Sequence, residues 1–244
     1  MIKFFFLMLI FSGPLWAVRK TPRSQSGLEA GVELRALKRF KRYLFLAETK
    51  NREEILGSSY HQMLIGSYYR VTKRLRFGLF LQGEQGLRWD QDWRKKDGTW
   101  QWQKIDNRWD FSTVGDVTFV DKLGSHWLWE IKNRFYYYHS RQSLQLRTRP
   151  GLRYFILKDG KPLWQIYSEF EAYVPVNYGT RSLYEYWAYL GSLYQVTPRF
   201  AFGPVISYRE RWFHAYSSFE SKTQQTFREK FSSTYVGLSA VYNW

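Results

Sequence analysis

The sequence predicts an all-β protein, a transmembrane, antiparallel up-and-down β-barrel. Three observations predict it: apolar and polar residues alternate with period two along most of the chain, aromatic residues make up 20%, and the first residues are apolar. The high aromatic content excludes a disordered chain. The absence of cysteine excludes a disulfide scaffold, a thiol enzyme and a cysteine-ligated zinc site.

The first element is a predicted signal peptide over residues 1–17. Lys3 is followed by the apolar run 4–11, which Gly13 and Pro14 end, and Ala17 is a plausible residue before the cleavage site. The apolar run is too short to cross a bilayer as a helix. We therefore expect export from the cytoplasm, a short N-terminal segment over 18–26, and a barrel over 27–244.

The strands that come after the signal peptide have one apolar face and one polar or charged face. The clearest examples are the ranges 127–137, 144–156, 164–174 and 200–212. A soluble sandwich would show the same alternation. The signal peptide, the many Trp and Tyr residues and the strand length of more than about ten residues favour the membrane barrel.

An internal repeat indicates hairpins. The stretch from Gly66 to Gly78 matches that from Gly191 to Gly203, with Tyr-x-Val-Thr-x-Arg shared by both. Each copy predicts a strand, a short turn and the next strand. Longer loops are then expected at the opposite end of the barrel, over 51–58, 85–109, 139–142, 175–181 and 214–226. The 85–109 stretch predicts a hairpin extension that projects beyond the membrane.

The strand number stays open between two values. The pattern predicts six strands that run in one direction but only five that run in the other. Bacterial single-chain barrels, however, have even strand numbers. A further strand within 18–26 would give twelve, which we favour. One continuous, bulged strand over 27–48 would give ten.

The C-terminus carries the most specific pattern. Apolar residues alternate at Val236, Leu238, Ala240, Tyr242 and Trp244, and the chain ends on Trp244. This resembles the last strand of Gram-negative outer-membrane barrels. The resemblance implies an outer-membrane location and recognition of Gly237, Tyr242 and Trp244 by the barrel-assembly machinery.

The Tyr-x-Val-Thr-x-Arg turns and Glu-rich strands such as 168–173 carry a second resemblance. They resemble the uncharacterised small outer-membrane barrels of Gram-negative bacteria, a family with no assigned activity. Outer-membrane lipid and lipopolysaccharide are the implied partners, and external basic residues would contact lipopolysaccharide phosphates.

The lumen is the candidate functional site, because the alternation directs charged residues inward. The predicted basic residues are Arg70, Arg76, Lys132, Arg134, Arg147, Arg149, Arg153, Arg209 and Arg211. The predicted acidic residues are Glu84, Glu130, Glu169, Glu171 and Glu185. This positive surplus predicts a narrow channel that favours small anionic solutes. The small acidic-oligosaccharide porins are similar in architecture only.

A closed structural or surface-binding barrel is the competing prediction. Glu169 and Glu171 follow the Arg147, Arg149 and Arg153 ladder and could neutralise it, so that the lumen would be filled instead of open. Whether the lumen is wide enough to conduct depends on the strand number.

Enzymatic and cofactor-dependent functions are not expected. His139 and Ser140 lack a third member of a hydrolase triad, and Asp90 and Asp92 lack an Asp–His pair of the protease kind. No metal or nucleotide motif is present, so no cofactor is predicted. The net charge of +16 would suit nucleic acid, but an exported barrel seldom meets it.

Overall fold

A computed structural model describes most of the chain. The described residues are 24–54, 58–86, 89–90, 103–104, 109–140, 142–177, 185–214 and 228–244. The predicted signal peptide, residues 18–23 and much of the 85–109 loop lie outside them. Within these ranges, no helix is long and apolar enough to cross a membrane.

The described residues form strands joined by turns. The strands are β1 (Ser24–Phe40), β2 (Tyr43–Glu54), β3 (Ser58–Arg70), β4 (Leu75–Gly86), β5 (Trp89–Asp90), β6 (Gln103–Lys104), β7 (Asp110–Leu123), β8 (Trp127–Tyr138), β9 (Ser143–Lys158), β10 (Lys161–Pro175), β11 (Glu185–Thr197), β12 (Phe200–His214) and β13 (Arg228–Asn243). The short β5 and β6 pair with each other, as a hairpin within 85–109 requires.

Eleven of these strands close into one barrel in the order β1-β13-β12-β11-β10-β9-β8-β7-β4-β3-β2. Neighbours are antiparallel except at the closing seam, where β1 and β13 are parallel with Gly31 opposite Gly237. An up-and-down chain with an odd strand number has its first and last strands running the same way, so only a parallel ladder can close it.

Neither predicted strand number matches the described barrel. The ten-strand alternative is wrong, because Lys41 adopts a φ of 52° in a turn that separates β1 from β2. The twelve-strand prediction needs a separate strand in 18–26. Residues 24–26 instead belong to β1, which pairs directly with β13, and residues 18–23 lie outside the described part.

The two ends of the barrel differ as the repeat predicts. Short turns join β1 to β2, β3 to β4, β7 to β8, β9 to β10 and β11 to β12, and the C-terminus lies at this end, which we call the turn end. The other connections lie at the opposite end, the loop end. The repeated Thr has a local role. The Thr72 hydroxyl accepts from the backbone N–H of Leu75 at 2.9 Å, and Thr197 accepts from Phe200 at 3.1 Å.

The barrel is apolar outside and polar inside. Ile65 and Leu79 are 64% and 65% exposed on the outer face, whereas Glu48 and Gln82 are buried within the lumen. This reverses the arrangement of a water-soluble domain, where large apolar side chains are mostly buried.

Two glycines are covered by the lumen tyrosines Tyr68 and Tyr167. A Cβ on Gly191 would lie 2.5 Å from the Tyr167 hydroxyl, and one on Gly78 would lie 2.8 Å from the Tyr68 ring. Tyr189 has an aromatic neighbour in the lumen. Its ring stacks on Trp187, with centroids 5.6 Å apart.

Candidate functional site: the lumen network

The lumen contains nearly all of the predicted basic residues, at different depths. Arg134, Arg147, Arg149 and Arg209 are buried. Arg76, Lys132, Arg153 and Arg211 are partly exposed, and Arg70 is exposed at the turn end. The predicted acidic residues Glu84, Glu130, Glu169, Glu171 and Glu185 are all buried.

Towards the loop end, Glu185 is surrounded by donors. It accepts hydrogen bonds from Arg211 Nε at 2.5 Å, Arg209 Nε at 3.1 Å and the indole N–H of Trp187 at 2.6 Å. Arg209 also lies 3.5 Å from Glu29 of β1. This carboxylate thus neutralises two of the predicted lumen arginines.

Towards the turn end, the arginine ladder of β9 is paired with carboxylates of both neighbouring strands. Arg153 Nη2 lies 2.6 Å from Glu130 and 3.3 Å from Glu169. Arg149 Nε lies 3.5 Å from the other oxygen of Glu169. Lys132 lies 3.8 Å from Glu130. Two members of the ladder are therefore neutralised by the glutamates that the closed alternative requires.

The third member, Arg147, is held by aromatic rings. Its guanidinium lies 3.8 Å from the ring centroid of Tyr136 and 4.5 Å from that of Tyr173, and Nη2 donates to the Tyr138 hydroxyl at 2.6 Å. Such cation–π contacts strengthen when water is excluded. Glu171, one of the predicted partners of the ladder, accepts from the Tyr173 hydroxyl at 3.2 Å.

A third group surrounds Asp116 of β7, whose side chain is fully buried. Its carboxylate accepts from Arg134 Nε at 2.8 Å, from the Tyr68 hydroxyl at 2.9 Å and from Thr118 at 2.5 Å. Charge-assisted bonds of this kind are about twice as strong as neutral ones. Arg134 is thus fixed at the lumen wall.

The sequence reasoning missed the charged residues of β1 and β2. Arg35 Nε lies 2.8 Å from Glu48, and Lys50 Nζ lies 3.3 Å from Glu33. Arg52 extends this set towards the loop end. These residues share the inward parity of their strands, so the period-two pattern could have found them, but the region was treated as an uncertain turn or bulge.

Side chains of β2 meet those of β11 across the lumen. The Arg52 guanidinium lies 4.4 Å from the Trp187 ring centroid, and Lys50 Nζ lies 6.0 Å from that of Tyr189. Strands β2 and β11 are not neighbours in the barrel. These contacts therefore join separate parts of the barrel wall across the lumen, not neighbouring strands.

Among the described residues, the positive surplus of the lumen is smaller than expected. The inward acidic residues are Glu29, Glu33, Glu48, Glu84, Asp110, Asp116, Glu130, Glu169, Glu171 and Glu185. The inward basic residues are Arg35, Lys50, Arg52, Arg76, Lys132, Arg134, Arg147, Arg149, Arg153, Arg209 and Arg211. The two sets nearly balance, because β1, β2 and β7 supply carboxylates that had not been counted.

A cavity of about 270 Å³ opens at the turn end. Arg35, Arg153 and Glu169 lie at its charged side, and Leu37 and Phe155 are among its apolar lining residues. The two arginines are the same ones that pair with Glu48, Glu130 and Glu169. The cavity therefore ends at the paired network.

The three residues of the predicted assembly signal lie on the last strand. Gly237 pairs with Gly31 at the seam, and Tyr242 faces outward. Trp244 is 58% exposed at the turn end, where its backbone N–H donates to the Leu37 carbonyl at 3.0 Å. The ring of Trp244 is therefore accessible to solvent.

Among the described residues, Ser140 and His139 have different hydrogen-bond partners. Ser140 donates to Asp110 at 2.6 Å, whereas the His139 imidazole lies 3.0 Å from Thr113 Oγ1. Asp92 and the side chain of Asp90 lie outside the described part of the chain. Over the described ranges, no cluster of His, Asp and Glu could hold a metal ion.

Comparison of the chain with protein-family models and with curated proteins found no match. Any conclusion about function therefore depends on the geometry of the barrel.

Proposed function

We propose that the protein is a β-barrel of the bacterial outer membrane with a closed lumen, acting as a structural or surface-binding barrel. Its exposed apolar outer face supports the membrane assignment. On β10 this face runs from Trp164 to Val174. With a rise of about 3.3 Å per residue and a tilt of about 40°, that stretch spans roughly 25 Å, the height of the apolar band of membrane barrels.

Aromatic pairs at both ends of the outer face support the same proposal. Near the turn end, Trp164 and Tyr194 have ring centroids 4.9 Å apart. Near the loop end, Phe170 and Tyr186 have centroids 5.6 Å apart, and Trp212 lies 5.4 Å from Tyr186. Amphipathic rings prefer the headgroup region, so two such levels would mark the two membrane surfaces.

Cell fractionation tests this location. The protein should sediment with outer-membrane markers and resist protease except at the loop end. In the proposed orientation the turn end faces the periplasm and the loops face outward, in contact with lipopolysaccharide. Recovery in the soluble periplasm would overturn the proposal.

The closed lumen rests on one observation, the contacts that cross it. Arg52 stacks on the ring of Trp187 from the facing wall, and the buried arginines on either side have carboxylate or aromatic partners. A permeating ion would have to break these contacts, because fixed side chains occupy the path. We propose no catalytic role and no cofactor.

A narrow anion-favouring channel is the second candidate. The cavity at the turn end favours it, because solute could enter there and reach Arg35 and Arg153. Conduction would then require Arg153 to leave Glu130, and alanine at Arg147, Arg149 and Arg153 should reduce anion preference.

A further inference from the structure

A second group of cations lies at the turn-end rim of the barrel, where Arg76 and Tyr68 join it to the lumen network. A recess with a volume of about 10 Å³, room for one water-sized group, lies between the β1–β2 turn and the ends of β3 and β4. Five cationic side chains line it and no carboxylate does: Arg39, Lys41, Arg42, Arg70 and Arg76. We call this set the cationic recess.

The cations of the recess differ from the neighbouring charges in their partners. Arg74, in the next turn, lies 3.0 Å from Asp121. By contrast, no carboxylate of the described residues lies within ion-pair distance of the recess cations. Like charges held close together repel one another. Such a cluster is stabilised by an anion, and planar guanidinium groups fit phosphate oxygens particularly well.

The outer edge of the recess is aromatic. Arg42 Nη1 donates to the Tyr69 hydroxyl at 3.3 Å, and the Tyr69 ring lies 5.3 Å from that of Tyr43, which also lines the recess. Lys41 Nζ lies 5.4 Å from the ring centroid of Phe40, which is 58% exposed. Rings of this kind mark the headgroup level of a membrane.

We propose that the cationic recess binds the phosphate of an anionic phospholipid in the leaflet at the turn end. This inference rests on the proposed membrane location. The recess lies at the rim of the barrel, with the exposed Tyr43 on its outer side and the buried Tyr68 on its lumen side, so a headgroup phosphate could rest on the cations at its mouth while the acyl chains lie along the apolar outer face. A soluble anion would leave this aromatic edge unused.

Native mass spectrometry of the full mature chain, refolded and held in detergent, tests the proposal. Phosphatidylglycerol and phosphatidylcholine are added in competition. The amounts of each lipid in the complex that carries one lipid are then compared. Wild type should retain one phosphatidylglycerol in preference to phosphatidylcholine. Each basic residue near an anionic surface contributes about 1 kcal/mol, or about fivefold, so Arg42→Gln with Arg70→Gln should weaken that binding by about 25-fold.

The matched control is Lys122→Gln with Lys158→Gln, which removes the same charge from the turn-end residues of β7 and β9, outside the recess. It should bind phosphatidylglycerol as wild type does. Gel electrophoresis of unheated samples in detergent checks that both variants fold, because a folded barrel migrates as a separate band at room temperature. Equal weakening in both double variants would show general charge attraction and overturn the site.

A further arm separates lipid from free phosphate. Inorganic phosphate, at the concentration of the lipid, should not displace phosphatidylglycerol from wild type; displacement would overturn the lipid assignment. Insertion into phosphatidylcholine vesicles separates the membrane location from the lipid site. A barrel that inserts but shows no phosphatidylglycerol preference contradicts only this inference, whereas failure to insert contradicts the proposed function.

Discussion

Removal of the Asp116 carboxylate tests whether the lumen is dry. In Asp116→Ala, the buried Arg134 loses an acceptor at 2.8 Å, and Tyr68 loses one at 2.9 Å. Breaking a buried ion pair by deleting one partner costs about 3–5 kcal/mol, because the remaining charge has neither partner nor water. Arg134 would keep only its 3.4 Å contacts with the hydroxyls of Tyr136 and Tyr68, so we expect the free energy of unfolding to fall by about 3 kcal/mol, the lower end of that range.

The assay is urea unfolding of the barrel in lipid vesicles, followed by tryptophan fluorescence and extrapolated to water. Asp121→Ala is the matched control, since the same change there breaks the exposed pair with Arg74. Exposed pairs contribute about 0–1 kcal/mol. The double variant Asp116→Leu with Arg134→Met should recover most of the loss, because both charges leave the interior together.

A loss for Asp116→Ala no larger than that for Asp121→Ala would refute the reasoning. It would mean that water solvates Arg134 once its partner is gone. The lumen would then be hydrated at this level, and the closed barrel would be wrong there.

Three further outcomes are expected. Gly191→Ala should lower the free energy of unfolding by about 1–3 kcal/mol, because the Cβ would meet Tyr167, whereas Gly115→Ala should not, since nothing lies within 4 Å of that Cβ. Urea midpoints compare the two, and equal losses would contradict the packing. Leu79→Arg, on the outer face, should cost about 2–4 kcal/mol in vesicles if lipid covers it, and almost nothing if water does. Deletion of Trp244 should reduce the folded barrel recovered from cell membranes while leaving refolding of the purified chain unchanged; equal recovery would contradict a role in assembly.

The period-two pattern was sufficient to predict the strand faces. Glu130, Glu169 and Arg149 were placed inside the lumen from alternation alone, and the structure buries all three. Alternation works here because each strand has a single apolar face, and a shift of one residue would put charges on that face.

The closure of the barrel could not be predicted in the same way. Pairing of Gly31 with Gly237 joins residues at opposite ends of the chain, and no local pattern encodes a parallel seam. No local signal marks β1 as the closing strand, so the predicted lumen lacks the buried Glu29 and Glu33 and its predicted positive surplus is too large. Contacts such as Arg52 with Trp187 depend on the barrel diameter, which is determined by the strand number.

Planar-bilayer conductance of the refolded wild-type protein tests the closed lumen most directly. We predict inserted protein with no resolved single-channel steps, and no change on alanine substitution of Arg147, Arg149 and Arg153. Steady anion-selective steps that lose their selectivity in the alanine variant would contradict the closed lumen and establish the channel instead.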